Sequence, residues 1–121
     1  MAMRFMVNGF NVIAHNNNKI IGKLNVSLID YDTFYINNLY INNDFRGNNY
    51  GHELINYHNF HFNHYNINTY KLLALNLNKD YKLYDYYKKI GFKIDYDYVV
   101  NKDKMSYEYD EIIPMKKKIN L

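Results

Sequence analysis

Cysteine and tryptophan are absent from this chain of 121 residues, and proline occurs once. Without cysteine there is no disulfide framework, no zinc–thiolate centre and no thiol nucleophile. No apolar run approaches the roughly 18 residues that a membrane-crossing helix needs. Residues 1–10 lack the apolar stretch and small-residue cleavage site of a secretory leader. With 15 basic and 12 acidic residues the net charge is +3. That bias is too weak to point to nucleic acid and is compatible with a small anionic ligand. The expectation left standing is one soluble cytoplasmic domain spanning residues 1–121, with a mass of 14.7 kDa.

Hydrophobic residues nevertheless make up 48%, and the aromatic 18% consists of 15 Tyr and 7 Phe. Asn recurs in runs such as Asn16-Asn17-Asn18, Asn37-Asn38, Asn42-Asn43 and Asn48-Asn49. Asn, Lys, Ile and Tyr share AT-rich codons. Regular apolar patterning runs beneath the bias, so it reads as the mark of an AT-rich genome, viral or protist, rather than a disordered tract.

Residues 10–14, 19–30 and 33–41 read as an antiparallel meander, turning at Asn16-Asn17-Asn18 and Asp30-Tyr31-Asp32. From residue 49 or 50 to about 64 the spacing becomes helical. There Leu54, Ile55, Tyr57, His58, Phe62 and Tyr65 fall near one broad face. A buried strand is expected at 71–77, then a helix at 79–90 opened by Asn78 and closed by Gly91. Strands at 92–100 and 105–119 close the chain, with Pro114 at a bulge or an edge. The order βββ-α-β-α-ββ describes an α+β fold: a mixed, mostly antiparallel sheet flanked by helices.

The segment richest in chemistry joins a strand end to a helix start: Leu39-Tyr40-Ile41-Asn42-Asn43-Asp44-Phe45-Arg46-Gly47-Asn48-Asn49-Tyr50-Gly51. Such a loop can turn successive backbone N–H groups into one concavity, backed by the positive end of the helix dipole. Gly47 and Gly51 carry no side chain to obstruct a phosphate, and Arg46 adds a fixed positive charge. Taken alone, the same residues also describe an ordinary strand-turn-helix connection.

Downstream, Tyr86-Tyr87-Lys88-Lys89-Ile90-Gly91-Phe92 ends the second helix. Together the two segments resemble the GNAT superfamily of N-acetyltransferases. That family's acetyl-CoA loop, Arg/Gln-x-x-Gly-x-Gly/Ala, is matched by Arg46-Gly47-Asn48-Asn49-Tyr50-Gly51. Its later Tyr-x-x-x-Gly-Phe signature is matched by Tyr87-Lys88-Lys89-Ile90-Gly91-Phe92. The closing Ile113-Pro114-Met115-Lys116-Lys117 is similar to its last strand.

The resemblance implies an N-acetyltransferase that passes acetyl from acetyl-CoA to a primary amine, on a small molecule or a peptide, by direct attack in a ternary complex. Strands at 34–41 and 71–77 would splay, and the pantetheine arm would pair with main-chain groups of Leu39, Tyr40 and Ile41. Backbone N–H groups of Arg46, Gly47, Asn48, Asn49, Tyr50 and Gly51 would hold the pyrophosphate, with His52 bordering the phosphates. Asp80, where the family often has Asn, would contact the cofactor. Tyr87 would be the general acid for the departing thiolate, because a phenol of pKa about 10 is protonated at neutral pH. A strand N–H near Leu39 to Ile41 would stabilise the oxyanion. No metal, nucleic acid or membrane enters the scheme.

The pattern departs from the family at several points. Asn49 replaces the loop's middle glycine, Asn43 replaces a common proline, and the splayed strands carry Asn37, Asn38, Leu75 and Asn76 where a basic Glu is frequent. Only His15 to Asn18 stand where a helical pair is usual, so a homodimer would be one way to complete the acceptor wall. A non-catalytic CoA-binding or protein-interaction domain on the same fold is the alternative these departures favour. His52, His58, His61 and His64 spread over more than one helix face and read better as satisfied or solvated histidines than as metal ligands. Lys116-Lys117-Lys118 reads as a solvated strand end before it reads as a site for the 3′-phosphate of CoA. The tyrosines alternate along strands, as in Tyr96 and Tyr98 or Tyr107 and Tyr109, which marks sheet-face packing.

Overall fold

A computed structural model describes residues 3–76, 81–97 and 111–119. Two compact units account for the chain, Met1–Ile67 and Asn68–Leu121. The first holds strands β1 (Arg4–Asn8), β2 (Asn11–Asn16), β3 (Lys19–Asp30) and β4 (Thr33–Ile41), followed by helix α1 (Tyr50–His61). The second holds β5 (Thr69–Asn76), α2 (Lys82–Lys89), β6 (Lys93–Ile94) and β7 (Glu111–Lys118). The α+β class and the element order agree with the sequence pattern, with one strand added at the start.

That added strand is β1, which pairs antiparallel with β2 from Arg4↔His15 to Asn8↔Asn11. A two-residue turn, Gly9-Phe10, joins them, with Gly9 at φ +61°. The Asn8-Gly9 dipeptide is a strong hairpin signal, and it was available in the sequence. β2 then turns into β3 through Asn17, whose left-handed φ of 54° agrees with the expected Asn turn. Two tight turns, rather than the single short link at His15 to Asn18, therefore occupy the start of the meander.

Alternation along these strands sorts the side chains. Val12, Ala14, Leu24, Val26, Phe34 and Ile36 are buried together with Leu54, Ile55 and His58 of α1. Each such side chain removed from water stabilises the fold by about 1.5–3 kcal/mol. The rings of Phe10, Phe34, Phe62 and Tyr65 stack edge-on and tilted at 5.2–6.5 Å beneath them. On the opposite face lie Lys23, Asn25, Ser27, Tyr35, Asn37, Asn38 and Tyr40, all exposed or half-buried. Asn37 Nδ2 donates to Ser27 Oγ at 2.7 Å there. Asn25, Asn37 and Asn38 thus serve a wet sheet face.

In the second unit β7 pairs antiparallel with β5 along Thr69↔Lys118 to Asn76↔Glu111, and with β6 at Lys93↔Lys116 and Ile94↔Met115. Tyr70, Leu72, Ala74, Ile113 and Met115 are buried, as are Tyr87, Ile90 and Phe92 around α2. Pro114 does not sit at a bulge: its register with β5 is unbroken. Its carbonyl accepts from Asp95 N–H at 2.8 Å. The proline nitrogen faces that same side, so the bond it cannot donate is the reciprocal one to Asp95, at the point where β6 ends.

α2 is shorter than expected, and its N-cap is Tyr81. Asn78 lies outside the described residues, as do 98–100 and 105–110 of the two expected closing strands. Gly91 ends the helix as expected, and the geometry explains the spacing of the signature. Phe92 N–H donates to Tyr87 C=O at 2.9 Å and Gly91 N–H to Lys88 C=O at 3.2 Å, the paired bonds of a Schellman stop. The rings of Tyr87 and Phe92 meet at 5.5 Å, which is the apolar contact that accompanies such stops. Gly91 has φ +106°, and a Cβ there would lie 3.1 Å from Lys117 Cε. Gly91→Ala is expected to cost about 1–2 kcal/mol, read as a lower urea midpoint at unchanged m-value.

Lys116 and Lys117 are engaged rather than solvated. Lys116 pairs with Asp97 at 3.1 Å and with the buried Asp95 at 3.4 Å, while Lys71 meets Asp95 at 3.5 Å. Asp95 thereby separates two lysines that face each other across β5 and β7. Lys117 is half-buried and donates to Ile90 C=O at 2.9 Å, capping the end of α2. Only Lys118 of the three is exposed. No helix among the described residues is long and apolar enough to cross a membrane.

Candidate functional site

β4 ends at Ile41, and the chain bends at once. Asn42 directs the bend: its N–H donates to Ile21 C=O at 2.8 Å, its Nδ2 to Ile20 C=O at 3.2 Å, and its Oδ1 accepts from Asp44 N–H at 3.2 Å. A short 3₁₀ turn, Asn43–Phe45, follows. Arg46 folds back so that Nε donates to Ile41 C=O at 2.9 Å, with its guanidinium 6.0 Å from the Tyr40 ring centre. Asn48 Nδ2 reaches Phe45 C=O at 3.2 Å and Arg46 C=O at 3.3 Å. The loop's polar side chains are therefore turned onto its own carbonyls.

The main-chain N–H groups are only partly paired. Those of Phe45 and Arg46 close the 3₁₀ turn, and the helical ladder of α1 begins only with Glu53 N–H to Asn49 C=O at 3.2 Å. Between them, Gly47, Asn48, Asn49, Tyr50 and Gly51 donate to no acceptor among the described residues. Of the expected arc of donors, Arg46 N–H is already bonded to Asn43 C=O at 3.4 Å. Asn49 is the N-cap but makes no side-chain cap bond. It sits in the left-handed region at φ 66°, ψ 19°, the conformation its place in the motif requires. Gly47 has φ +84°, and a Cβ there would meet nothing within 4 Å.

The start of α1 carries the positive end of its dipole, and Arg46 adds a full charge beside it. That combination suits a diphosphate. His52 lies half-buried in the first turn of α1. Asn49→Gly keeps the backbone angle and removes the side chain nearest the arc. Its expected effect is an unfolding free energy within about 0.5 kcal/mol of wild type, measured by urea unfolding.

Leu39, Tyr40 and Ile41 occupy the β4 end. Asn42 N–H bonds Ile21 C=O, so Gly22↔Ile41 is a narrow pair without mutual hydrogen bonds. The N–H and C=O of Leu39 and Ile41 then point away from β3, while those of Tyr40 point toward it. Of the three, Tyr40 is thus not available to pair outward, and one lone pair of Ile41 C=O is already taken by Arg46. Asp80 lies outside the described residues.

Tyr87, in the second unit, is 7% exposed. Burial pushes its phenol up to about 12, and neighbouring Tyr86 pushes in the same direction. Tyr86 lies edge-on to it with ring centres 5.4 Å apart. Of the four histidines from His52 to His64, His58 is fully buried with Nε2 2.8 Å from Phe10 C=O, which makes it a core residue, and α1 ends at His61, so His64 lies beyond the helix expected to reach it. His61 and His64 are exposed.

Residues 8–94 match the family model described as an acetyltransferase (GNAT) domain. No curated protein matches the chain by sequence. Solved structures do match in fold. A GNAT family acetyltransferase from Elizabethkingia anophelis, with acetyl-CoA bound, aligns at TM-score 0.67 and 20% identity over 90% of this chain and 75% of that one. Ard1 from Thermoplasma volcanium aligns at 0.73 and 15% over 92% and 71%. The PaiA N-acetyltransferase from Thermoplasma acidophilum, in complex with coenzyme A, aligns at 0.68 and 16% over 90% and 60%.

Proposed function

Because the chain belongs to the GNAT acetyltransferase domain family, we propose that it transfers acetyl from acetyl-CoA to a primary amine by direct attack. The observation that carries this reading is the run from Gly47 to Gly51 at the start of α1, whose five N–H groups have no acceptor among the described residues. Its donors suit a diphosphate in number and sign, and Gly47 and Asn49 supply the two left-handed backbone positions the arc needs. Acetyl-CoA supplies the activated thioester.

The chain's own groups take the remaining roles. Outward main-chain groups of Leu39 and Ile41 orient the pantetheine amides. The amine nitrogen forms a bond to the acetyl carbon, the carbon–sulfur bond breaks, the nitrogen gives up a proton and the sulfur needs one. Tyr87 holds that proton. Its phenol at about 12 stays protonated at every working pH. The thiolate of a thiol with ordinary pKa about 8.5 is a weaker base than this phenolate. Tyr87 thus acts first as a hydrogen-bond donor to the developing thiolate and completes the transfer as desolvation raises the sulfur's basicity; the phenolate then regains a proton from water, which receives the one the nitrogen releases. β4 carries Asn37 and Asn38 rather than a carboxylate, so the amine enters already neutral or loses its proton through water.

The test is thiol release from acetyl-CoA across a panel of polyamines, aminoglycosides and peptides with free N-termini. Turnover with one class supports the reading. Acetyl-CoA binding without turnover on any of them would favour the non-catalytic CoA-binding domain instead.

A further inference from the structure

Gly22 lies in the middle of β3, opposite Ala14 of β2 and Ile41 of β4. A Cβ at Gly22 would stand 2.6 Å from Tyr40 O, 2.7 Å from Ile41 Cδ1 and 3.1 Å from Leu54 Cδ1. The first of these is backbone and cannot swing aside. The narrow Gly22↔Ile41 pair brings β4 close, and Leu54, fully buried on α1, fills the space above it. Immediately before Gly22, the carbonyls of Ile20 and Ile21 receive the side chain and the N–H of Asn42. The same short stretch of β3 therefore holds the end of β4, the entry to the loop and the first half of α1.

From this geometry we infer that Gly22 and Asn42 are positioning residues for the diphosphate arc. Neither presents a group to the arc. Gly22 lets α1 and the β4 end settle onto β3, and Asn42 fixes where the chain leaves β4 and how the 3₁₀ turn starts. These two anchors, both upstream of residues 47–51, restrict the N–H groups there to one arrangement. Without them the same groups spread over several, and a ligand must then select the competent one. The inference rests on the cofactor reading above and adds the residues that shape that site.

Asn42 is the cleaner handle, because its side chain is only half-buried. Two probes distinguish positioning from general loosening: acetyl-CoA, and S-acetylpantetheine, which carries the same thioester arm without the diphosphate. Both are titrated into the full chain labelled with 15N, with Tm recorded alongside. Asn42→Ala is expected to weaken acetyl-CoA about tenfold, the scale of one lost hydrogen bond, and to leave S-acetylpantetheine within about twofold. Asn42→Ser keeps an oxygen for Asp44 N–H and is expected to recover part of the loss. Gly22→Ala is expected to lose more than Asn42→Ala, and where it does not fold Asn42→Ala still decides. Equal weakening of both probes, or a lower Tm with acetyl-CoA affinity unchanged, overturns the positioning role while the cofactor reading stands. Wild-type protein that does not bind acetyl-CoA overturns the cofactor reading and the inference with it.

Discussion

Tyr87→Phe is expected to lower turnover by about 10²–10⁴-fold, the range for loss of a positioned proton donor, while acetyl-CoA affinity stays within about twofold. The side chain is 7% exposed and its ring packs against Phe92, so phenylalanine fills the same space. The helix stop uses the Tyr87 carbonyl rather than its hydroxyl, and it survives the change. The pH profile carries a second signature. With the phenol at about 12, Tyr87 contributes no falling alkaline limb below pH of about 10. Thiol release in steady state and calorimetric binding check both halves. Unchanged turnover in Tyr87→Phe would mean that the thiolate leaves without help from this residue.

The second large effect concerns stability in acid. His58 is fully buried, and desolvation lowers its pKa from 6.5 to about 4, with His61 adding to the fall and the bond to Phe10 C=O opposing it. Because the folded value is the lower one, the unfolded chain takes up the proton first as pH drops. The contribution of His58 is then complete above pH 6.5 and is lost progressively down to about 4. The shift corresponds to roughly 3 kcal/mol in full, of which roughly 2 kcal/mol is gone by pH 5. Urea unfolding at pH 7.5, 6 and 5 measures it. His58→Gln keeps an Nε2 donor for Phe10 C=O and removes the titration. Its stability is expected to fall less over the same interval, and an identical pH slope in the two proteins would contradict the assignment.

Several elements were readable from local chemistry. β3 and β4 appear with the expected bounds, because Asn and Asp turns flank them and apolar residues alternate along their central parts, apart from the register shifts at Asn25/Val26 and Leu28/Asp30. Gly91 could be recognised as a helix stop from its place before Phe92, and the two bonds that close α2 give the reason. Asn17 and Asn49 both take the left-handed backbone that asparagine tolerates. β1 is five residues long and is marked in the sequence only by the Asn8-Gly9 dipeptide at its end. Lys117 could not be recognised as a cap, since its partner at Ile90 is distant in sequence.

The candidate loop was readable as a motif and not as a mechanism of positioning. Its glycines and Arg46 stand out in sequence, whereas Asn42 is hidden among many asparagines. Only its bonds to Ile20, Ile21 and Asp44 distinguish it. An isolated glycine inside a strand is a known mark of close backbone approach, and Gly22 carries that mark. What approaches it, the carbonyl of Tyr40 and the side chain of Leu54, is set by pairing and helix docking rather than by neighbours in the chain.

The most direct measurement is thermal unfolding of the wild-type chain with and without acetyl-CoA, with ATP as the control diphosphate-bearing nucleotide. At about 100 times the dissociation constant, binding stabilises the fold by about 2.7 kcal/mol, which is a rise in Tm of several degrees for a domain of this size. A rise with acetyl-CoA that ATP does not reproduce is the predicted result. No shift at millimolar acetyl-CoA would contradict it and leave the GNAT domain as a fold without its ligand.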